Sequence, residues 1–186
     1  MDILLTGQSG GDWSYYPRLQ TAIKALRAKL SDSRPLLLDM GGAGSNSDVA
    51  CLATENRAPY IVLDGMGYTA AIADDLAAAH FEQVQGLLQM SLILPGRVWQ
   101  LGDCEFPMAR DPHLSVAVWR DGLLALPYPP KGTIFHLRLN EGRELELNQP
   151  ETFEAPSLPP DPSISGVVEF VLEEARYYQR KGGAQN

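Results

Sequence analysis

Three short apolar runs, each closed by a glycine-rich turn, constrain this chain more than any other feature. The runs are Asp2-Ile3-Leu4-Leu5-Thr6, Pro35-Leu36-Leu37-Leu38-Asp39 and Tyr60-Ile61-Val62-Leu63-Asp64. The turns are Gly7-Gln8-Ser9-Gly10-Gly11, Gly41-Gly42-Ala43-Gly44 and Gly65-Met66-Gly67. Short, nearly unbroken apolar runs suit parallel strands buried on both faces. Leu19, Ala22, Ile23, Leu26 and Leu30 fall at helical spacing and predict a helix over 14–30. Ser45-Asn46-Ser47-Asp48 supplies N-cap residue types for a short helix reaching Glu55, and the alanine-rich stretch 69–79 predicts another. Strand–helix alternation of this kind gives right-handed βαβ units around a parallel sheet. Ligands bind such sheets outside the carboxyl ends of the strands, which would gather all three turns at one mouth. The candidate cleft residues are therefore Gln8, Ser9, Gly10, Gly41, Gly42, Asp64, Gly65 and Met66.

Beyond residue 88 the pattern changes. Runs at 88–94 and 97–101 read as strands. Arg120-Asp121-Gly122 between two apolar runs is a hairpin signal, and Glu141-Gly142 marks a second hairpin between 133–140 and 143–147. In the run 133–140, Thr133, Phe135, Leu137 and Leu139 alternate with Ile134, His136, Arg138 and Asn140, predicting one buried and one wet face. A proline-rich connection over 149–162 follows, running extended over the surface. A last helix over 163–182 takes Asp161 as cap and Pro162 at its first position. The expected fold class is α/β: a parallel βαβ start, an antiparallel β-rich half and a C-terminal helix. It reads as a single domain, with a βαβ-type half over 1–87 and a β-rich half over 88–148.

Composition bounds the function. The 186 residues are 45% hydrophobic, enough for a sizeable core, and carry a net charge of -8. Nucleic-acid binding normally needs a basic footprint, so nucleic acid is excluded as the expected partner, and so is an anionic membrane surface. Cys51 and Cys104 stand in neither metal-like nor redox-like spacing and read as reduced core residues. No run of about 18 apolar residues is present, so no membrane span is expected. The amino terminus begins a strand at once, without a basic n-region, which makes the expected location cytoplasmic.

Chemistry-bearing residues are sparse. Gly7-Gln8-Ser9-Gly10-Gly11 fits the G-x-S-x-G nucleophile-elbow pattern, which nominates Ser9 with His113 or His136 as base; the competing reading is a tight glycine turn that contains a serine. Gly65-Met66-Gly67-Tyr68-Thr69-Ala70 fits a relaxed dinucleotide fingerprint, but no acidic residue closes a following strand at the required distance. His80, His113 and His136 are isolated. Asp39, Asp64, Asp74 and Asp75 are metal-ligand types at strand ends without a nearby histidine, and Asp74-Asp75 reads equally well as part of a helix face. Trp13, Tyr15 and Tyr16 fit either a pocket lining, an interface or the core.

At its three loops the chain resembles the calcineurin-like metallophosphoesterase superfamily, most closely the amino-terminal domain of bacterial 5'-nucleotidases. Leu4-Leu5-Thr6-Gly7-Gln8-Ser9-Gly10-Gly11 parallels the family's L-x-T-N-D-x-H-G. Leu36-Leu37-Leu38-Asp39-Met40-Gly41-Gly42 parallels L-L-L-D-A-G-D, and the stretch from Ala58 to Tyr68 parallels the run that ends in the family's N-H-E motif. The resemblance covers about the first 75 residues and implies a truncated version of that family's sandwich. It also implies lost chemistry. Gln8 and Gly10 stand for the first aspartate and histidine, Gly42 for the second aspartate, and Gly65 and Met66 for the asparagine and histidine. Two-metal catalysis needs carboxylates and imidazoles to hold the cations, and glycine and methionine are not hard-metal ligands.

The expected protein is a catalytically inactive, metallophosphoesterase-like pseudoenzyme with a binding or scaffolding role. It has no metal, no cofactor and no catalytic residue. Its partner is an unidentified small molecule or protein, or a second copy of itself. The alternatives are a small serine hydrolase using Ser9 and an anion- or nucleotide-binding module using the glycine turns.

Overall fold

A computed structural model describes residues 1–30, 34–101, 104–107, 109–111, 118–120, 123–139, 145–147 and 150–183. The elements in chain order are β1 (Asp2–Thr6), α1 (Tyr15–Lys29), β2 (Leu36–Asp39), α2 (Val49–Ala53), α3 (Arg57–Gly65), β3 (Ala70–Ile72), α4 (Phe81–Gln85) and β4 (Ser91–Ile93). They continue with β5 (Val98–Leu101), β6 (Cys104–Pro107), β7 (Ala109–Asp111), β8 (Val118–Arg120), β9 (Leu123–Pro127), β10 (Thr133–Leu139), β11 (Leu145–Leu147), β12 (Glu151–Thr152) and α5 (Pro162–Gly183).

The fold is mixed α/β around one main sheet in the order β11-β10-β1-β2-β3-β4, with β12 added against the start of β10. Strands β1 to β4 are parallel, whereas β10 enters antiparallel beside β1 and forms an antiparallel hairpin with β11. Two small sheets stand apart, β5-β6 and β7-β9-β8, the second including the expected β8-β9 hairpin. The turn signals at Asp121-Gly122 and Glu141-Gly142 lie outside the described residues, as do His113 and Asn140.

The order β1-β2-β3-β4 runs in one direction across the sheet, so right-handed crossovers place every connecting helix on the same face. Leu4, Leu37, Ala71, Leu92 and Ile134 point to that face and pack with Leu19, Ile23 and Leu26 of α1, Tyr60 and Leu63 of α3, and Ile164, Val168 and Val171 of α5. The alternate residues Ile3, Leu5, Leu38, Ala70, Ile72, Ile93, Phe135 and Leu137 form a second core on the other face, closed by Trp99 and Leu126. The β-rich segments thus cover the face the helices leave open. This is why β10 is buried on both sides from Thr133 to Leu137, and the expected wet face is absent there. His136 is enclosed with Asp2, its Nε2 2.8 Å from Asp2 Oδ1, while Arg138 Nε donates to the same oxygen from the surface.

Two further expectations are overturned. The run 60–64 is not a strand but the body of α3, and the run 69–79 is not a helix but contains β3. Pro59 is tolerated because it falls in the first turn of α3. Ala70 and Ala71 sit in a strand because β2 and β4 flank them on both edges, with the two cores on their two faces. Other elements follow their sequence signals. Asp48 caps α2 by accepting from Cys51 N–H at 2.8 Å, and Asp161 caps α5 by accepting from the N–H groups of Ser163 and Ile164. Among the described residues, no helix is long and apolar enough to cross a membrane.

Candidate functional site at the strand ends

The first two glycine turns do meet at the carboxyl end of the sheet. Met40 N–H donates to Thr6 O, and the parallel pairing then continues past the strands: Gln8 N–H to Gly41 O at 2.9 Å, Gly10 N–H to Gly42 O at 2.8 Å, and Gly11 N–H to Ala43 O at 2.9 Å. The third turn is elsewhere. Because 60–64 is helical, Gly65, Met66 and Gly67 follow the carboxyl end of α3 and precede β3, at the amino ends of the strands. Gly65 faces Val167 of α5, Met66 is a core residue, and Asp64 Oδ1 accepts from the N–H groups of Gln89 and Met90. The structure therefore brings Gln8, Ser9, Gly10, Gly41 and Gly42 together, and places Asp64, Gly65 and Met66 at the opposite end of the sheet.

The residues that follow β3 at the carboxyl end are Asp74 and Asp75. Their carboxylates turn inward on the glycine turns. Gly41 N–H donates to Asp39 Oδ1 and Gly42 N–H to Asp74 Oδ1, both at 2.9 Å, and Gly44 N–H donates to Asp75. A row of backbone N–H groups in left-handed turns is an anion nest, and here the chain's own carboxylates occupy it. Asp75 also accepts from the Tyr60 hydroxyl, and its carbonyl accepts from Asn56 Nδ2 at 2.9 Å. Burial pushes the Asp75 carboxyl above its ordinary range, against the lowering effect of Tyr60 and Gly44. Asp39 is 1% exposed, and burial raises its pKa to about 8, although Gly41 N–H and the Thr6 hydroxyl favour the ionised form.

A cap closes the mouth. Tyr128 and Pro129, between β9 and β10, lie over both loops. The Tyr128 hydroxyl donates to Gly41 O at 3.3 Å, and Gln8 Nε2 donates to Pro129 O at 3.2 Å. A Cβ on Gly42 would stand 2.6 Å from Tyr128 Oη, on a backbone already at φ +70°. A side chain at the position that the resemblance assigns to a ligating aspartate would therefore have to displace the Tyr128 hydroxyl and hold a left-handed backbone. Below the cap, Ser9 is 2% exposed and donates to Tyr16 Oη at 3.1 Å, and Tyr16 donates to Ala43 O at 2.8 Å.

This arrangement has little chemical capacity. Among the described residues Ser9 bonds to Tyr16 and not to a base: His136 is bonded to Asp2, at the amino end of β1. Four residue steps of roughly 3.3 Å each separate Asp2 from Thr6 alone. Asp39, Asp74 and Asp75 each spend a carboxylate oxygen on backbone N–H groups. Among the described residues, no three His, Cys, Asp or Glu side chains converge as metal ligands would. The sequence offered Asp39, Asp64, Asp74 and Asp75 as strand-end carboxylates, with Asp74-Asp75 equally readable as a helix face; Asp39, Asp74 and Asp75 do gather here, Asp64 does not, and the sequence held no sign of the cap. Tyr128 lies more than a hundred residues from Gly7, and only the return of β10 beside β1 brings it there. Tyr15 and Tyr16 belong to the core, and Trp13 packs against it with Nε1 donating to Asp48 at 3.1 Å.

A comparison with protein-family models returns no match, and a comparison with curated proteins returns none.

Proposed function

We propose that this chain is a non-catalytic, metallophosphoesterase-like protein whose role is binding or scaffolding. The observation that supports this is the self-satisfied site. The N–H groups of Gln8, Gly10, Gly11, Gly41, Gly42 and Gly44 donate within the chain, and Tyr128 caps the place where a substrate would enter. The same bonding disfavours the anion-binding use of these turns, since an incoming anion would have to displace Asp74 and Asp75. Partner contacts then belong to the outer surface, where Val49 and Leu52 of α2 and Phe170 of α5 are 62%, 56% and 64% exposed. The buried free thiol of Cys51 fits a reducing, cytoplasmic setting.

The purified protein is expected to hold no stoichiometric transition metal by elemental analysis. It is expected not to turn over phosphate mono- or diesters above background with Mg²⁺, Mn²⁺ or Zn²⁺. The Gly42→Asp variant, which restores a ligand type, is expected to remain metal-free and to lose about 1–3 kcal/mol of stability through its left-handed backbone. Metal-dependent turnover that disappears in Asp75→Ala would end this reading.

A further inference from the structure

The amino end of the sheet, opposite the closed turns, carries a cavity of about 460 Å³ lined by Arg27, Arg34, Pro35, Leu36, Gly67 and Thr69. Two of its six walls are arginines, in a chain whose net charge is -8. Arg27 stands in the last turn of α1, and its Nε is buried without a hydrogen-bond partner. Burial lowers its pKa, and the influence opposing that is the phenol of Tyr68, not a carboxylate. Among the described residues neither Arg27 nor Arg34 is in an ion pair, whereas Arg57, Arg138 and Arg176 pair with Glu174, Asp2 and Glu173. A desolvated charge is costly unless it is paired and hydrogen-bonded, so an unpaired guanidinium in a cavity is a group awaiting a counter-ion.

The other walls fit the same purpose. Thr69 Oγ1 accepts from Leu37 N–H at 3.3 Å, which holds the hydroxyl in place and leaves its own hydrogen to donate. Gly67 lies at φ +79°, and a Cβ there would meet nothing within 4 Å, so the rim beside the arginines is open. Pro35 and Leu36 offer an apolar wall. A guanidinium is a planar fork that binds the paired oxygens of a carboxylate or a phosphate.

We propose that this pocket binds a small-molecule oxyanion, a carboxylate or a phosphate ester, between Arg27 and Arg34, with the Thr69 hydroxyl as a third donor. The site is independent of the closed strand-end turns and of the role proposed from them.

The test is calorimetric titration and thermal unfolding of the full chain with sodium phosphate and with sodium acetate, against chloride at equal ionic strength. Saturable binding of one or both is expected, with a melting temperature that climbs as the logarithm of anion concentration; the stronger anion identifies the headgroup. Arg34→Gln alters an exposed side chain and should leave the fold intact while weakening binding about tenfold or more. Arg27→Gln should remove binding. The absence of a saturable response to either anion, or equal responses in Arg27→Gln and wild type, overturns the proposal. Asp32 lies outside the described residues. Binding seen only in Asp32→Asn would mean that the chain's own carboxylate occupies the forks, and would overturn it equally.

Discussion

Asp39 shows what a single buried carboxyl does at the end of a parallel strand. It was legible in sequence as an acidic residue closing an apolar run. What was not legible is its inward orientation, where Gly41 N–H and the Thr6 hydroxyl reach it and water does not. Its folded pKa of about 8 lies above the ordinary carboxyl value, so the folded state holds a proton that the unfolded chain releases. The sign follows from linkage: its contribution to stability is complete below the unfolded pKa near 4 and is lost as pH rises through about 8. Asp39→Asn mimics the neutral acid. Denaturant titrations from pH 4 to 9 are expected to show wild-type stability falling relative to the variant by several kcal/mol. Each tenfold difference in proton affinity between the folded and unfolded chain contributes on the order of 1.4 kcal/mol. Parallel curves for the two proteins would mean that Asp39 is ionised in the fold. The candidate site was half legible for a related reason. Gln8, Ser9, Gly10, Gly41 and Gly42 follow strands whose pattern is unambiguous, whereas Asp64, Gly65 and Met66 were placed by a run whose conformation is not.

That run is the lesson at the scale of the element. Ala58, Pro59, Tyr60, Val62 and Leu63 are buried while Arg57, Ile61, Asp64 and Gly65 share the less buried side, so α3 does carry a helical period, but over only nine residues and with an uninterrupted apolar run at 60–63 that reads equally as a buried strand. Within that short run the β-branched Ile61 and Val62 favour a strand, and packing between α5 and the sheet decides for a helix. Ala70 and Ala71 show the converse: helix propensity of tenths of a kcal/mol yields to pairing on both edges. The periods of α1 and α5 run over 15 and 22 residues, and that length made them decisive. The outer edge of the sheet adds a feature no pattern announces. Gln85 of α4 donates from Nε2 to Met90 O at 3.0 Å and accepts Leu92 N–H on Oε1 at 2.6 Å. These are the two groups that one residue of a parallel neighbour would bond, so a side-chain amide stands in for the next strand and covers the edge. Gln85→Ala is expected to cost about 1 kcal/mol in urea unfolding and to increase self-association in light scattering. Light scattering unchanged from wild type at high concentration would show that the edge is protected by other means.

At the scale of the whole molecule, the chain closes on itself late. In the first 93 residues β1, α1, β2 and α2 were readable, whereas α3 and β3 were read the other way round. The insertion of β10 beside β1 was not readable, because hairpin signals fix neighbours in sequence and say nothing about which distant strand receives the pair. The last element, α5, completes the helical layer with Ile164, Val168, Val171 and Ala175, all buried. Together these side chains contribute on the order of 5 kcal/mol, comparable with the whole net stability of a domain. A chain ending at residue 160 is therefore expected to lose its cooperative thermal transition and to bind a hydrophobic dye. A sharp transition near the full-length temperature would show that the remaining layers suffice. The position of β10 also has a consequence for synthesis. β1 leaves the ribosome well before β10, so the edge of β1 that β10 covers has no mate until residues 133–139 emerge. At roughly 5–20 residues per second, the nascent chain carries an open apolar edge for many seconds, an interval in which a holding chaperone has time to act.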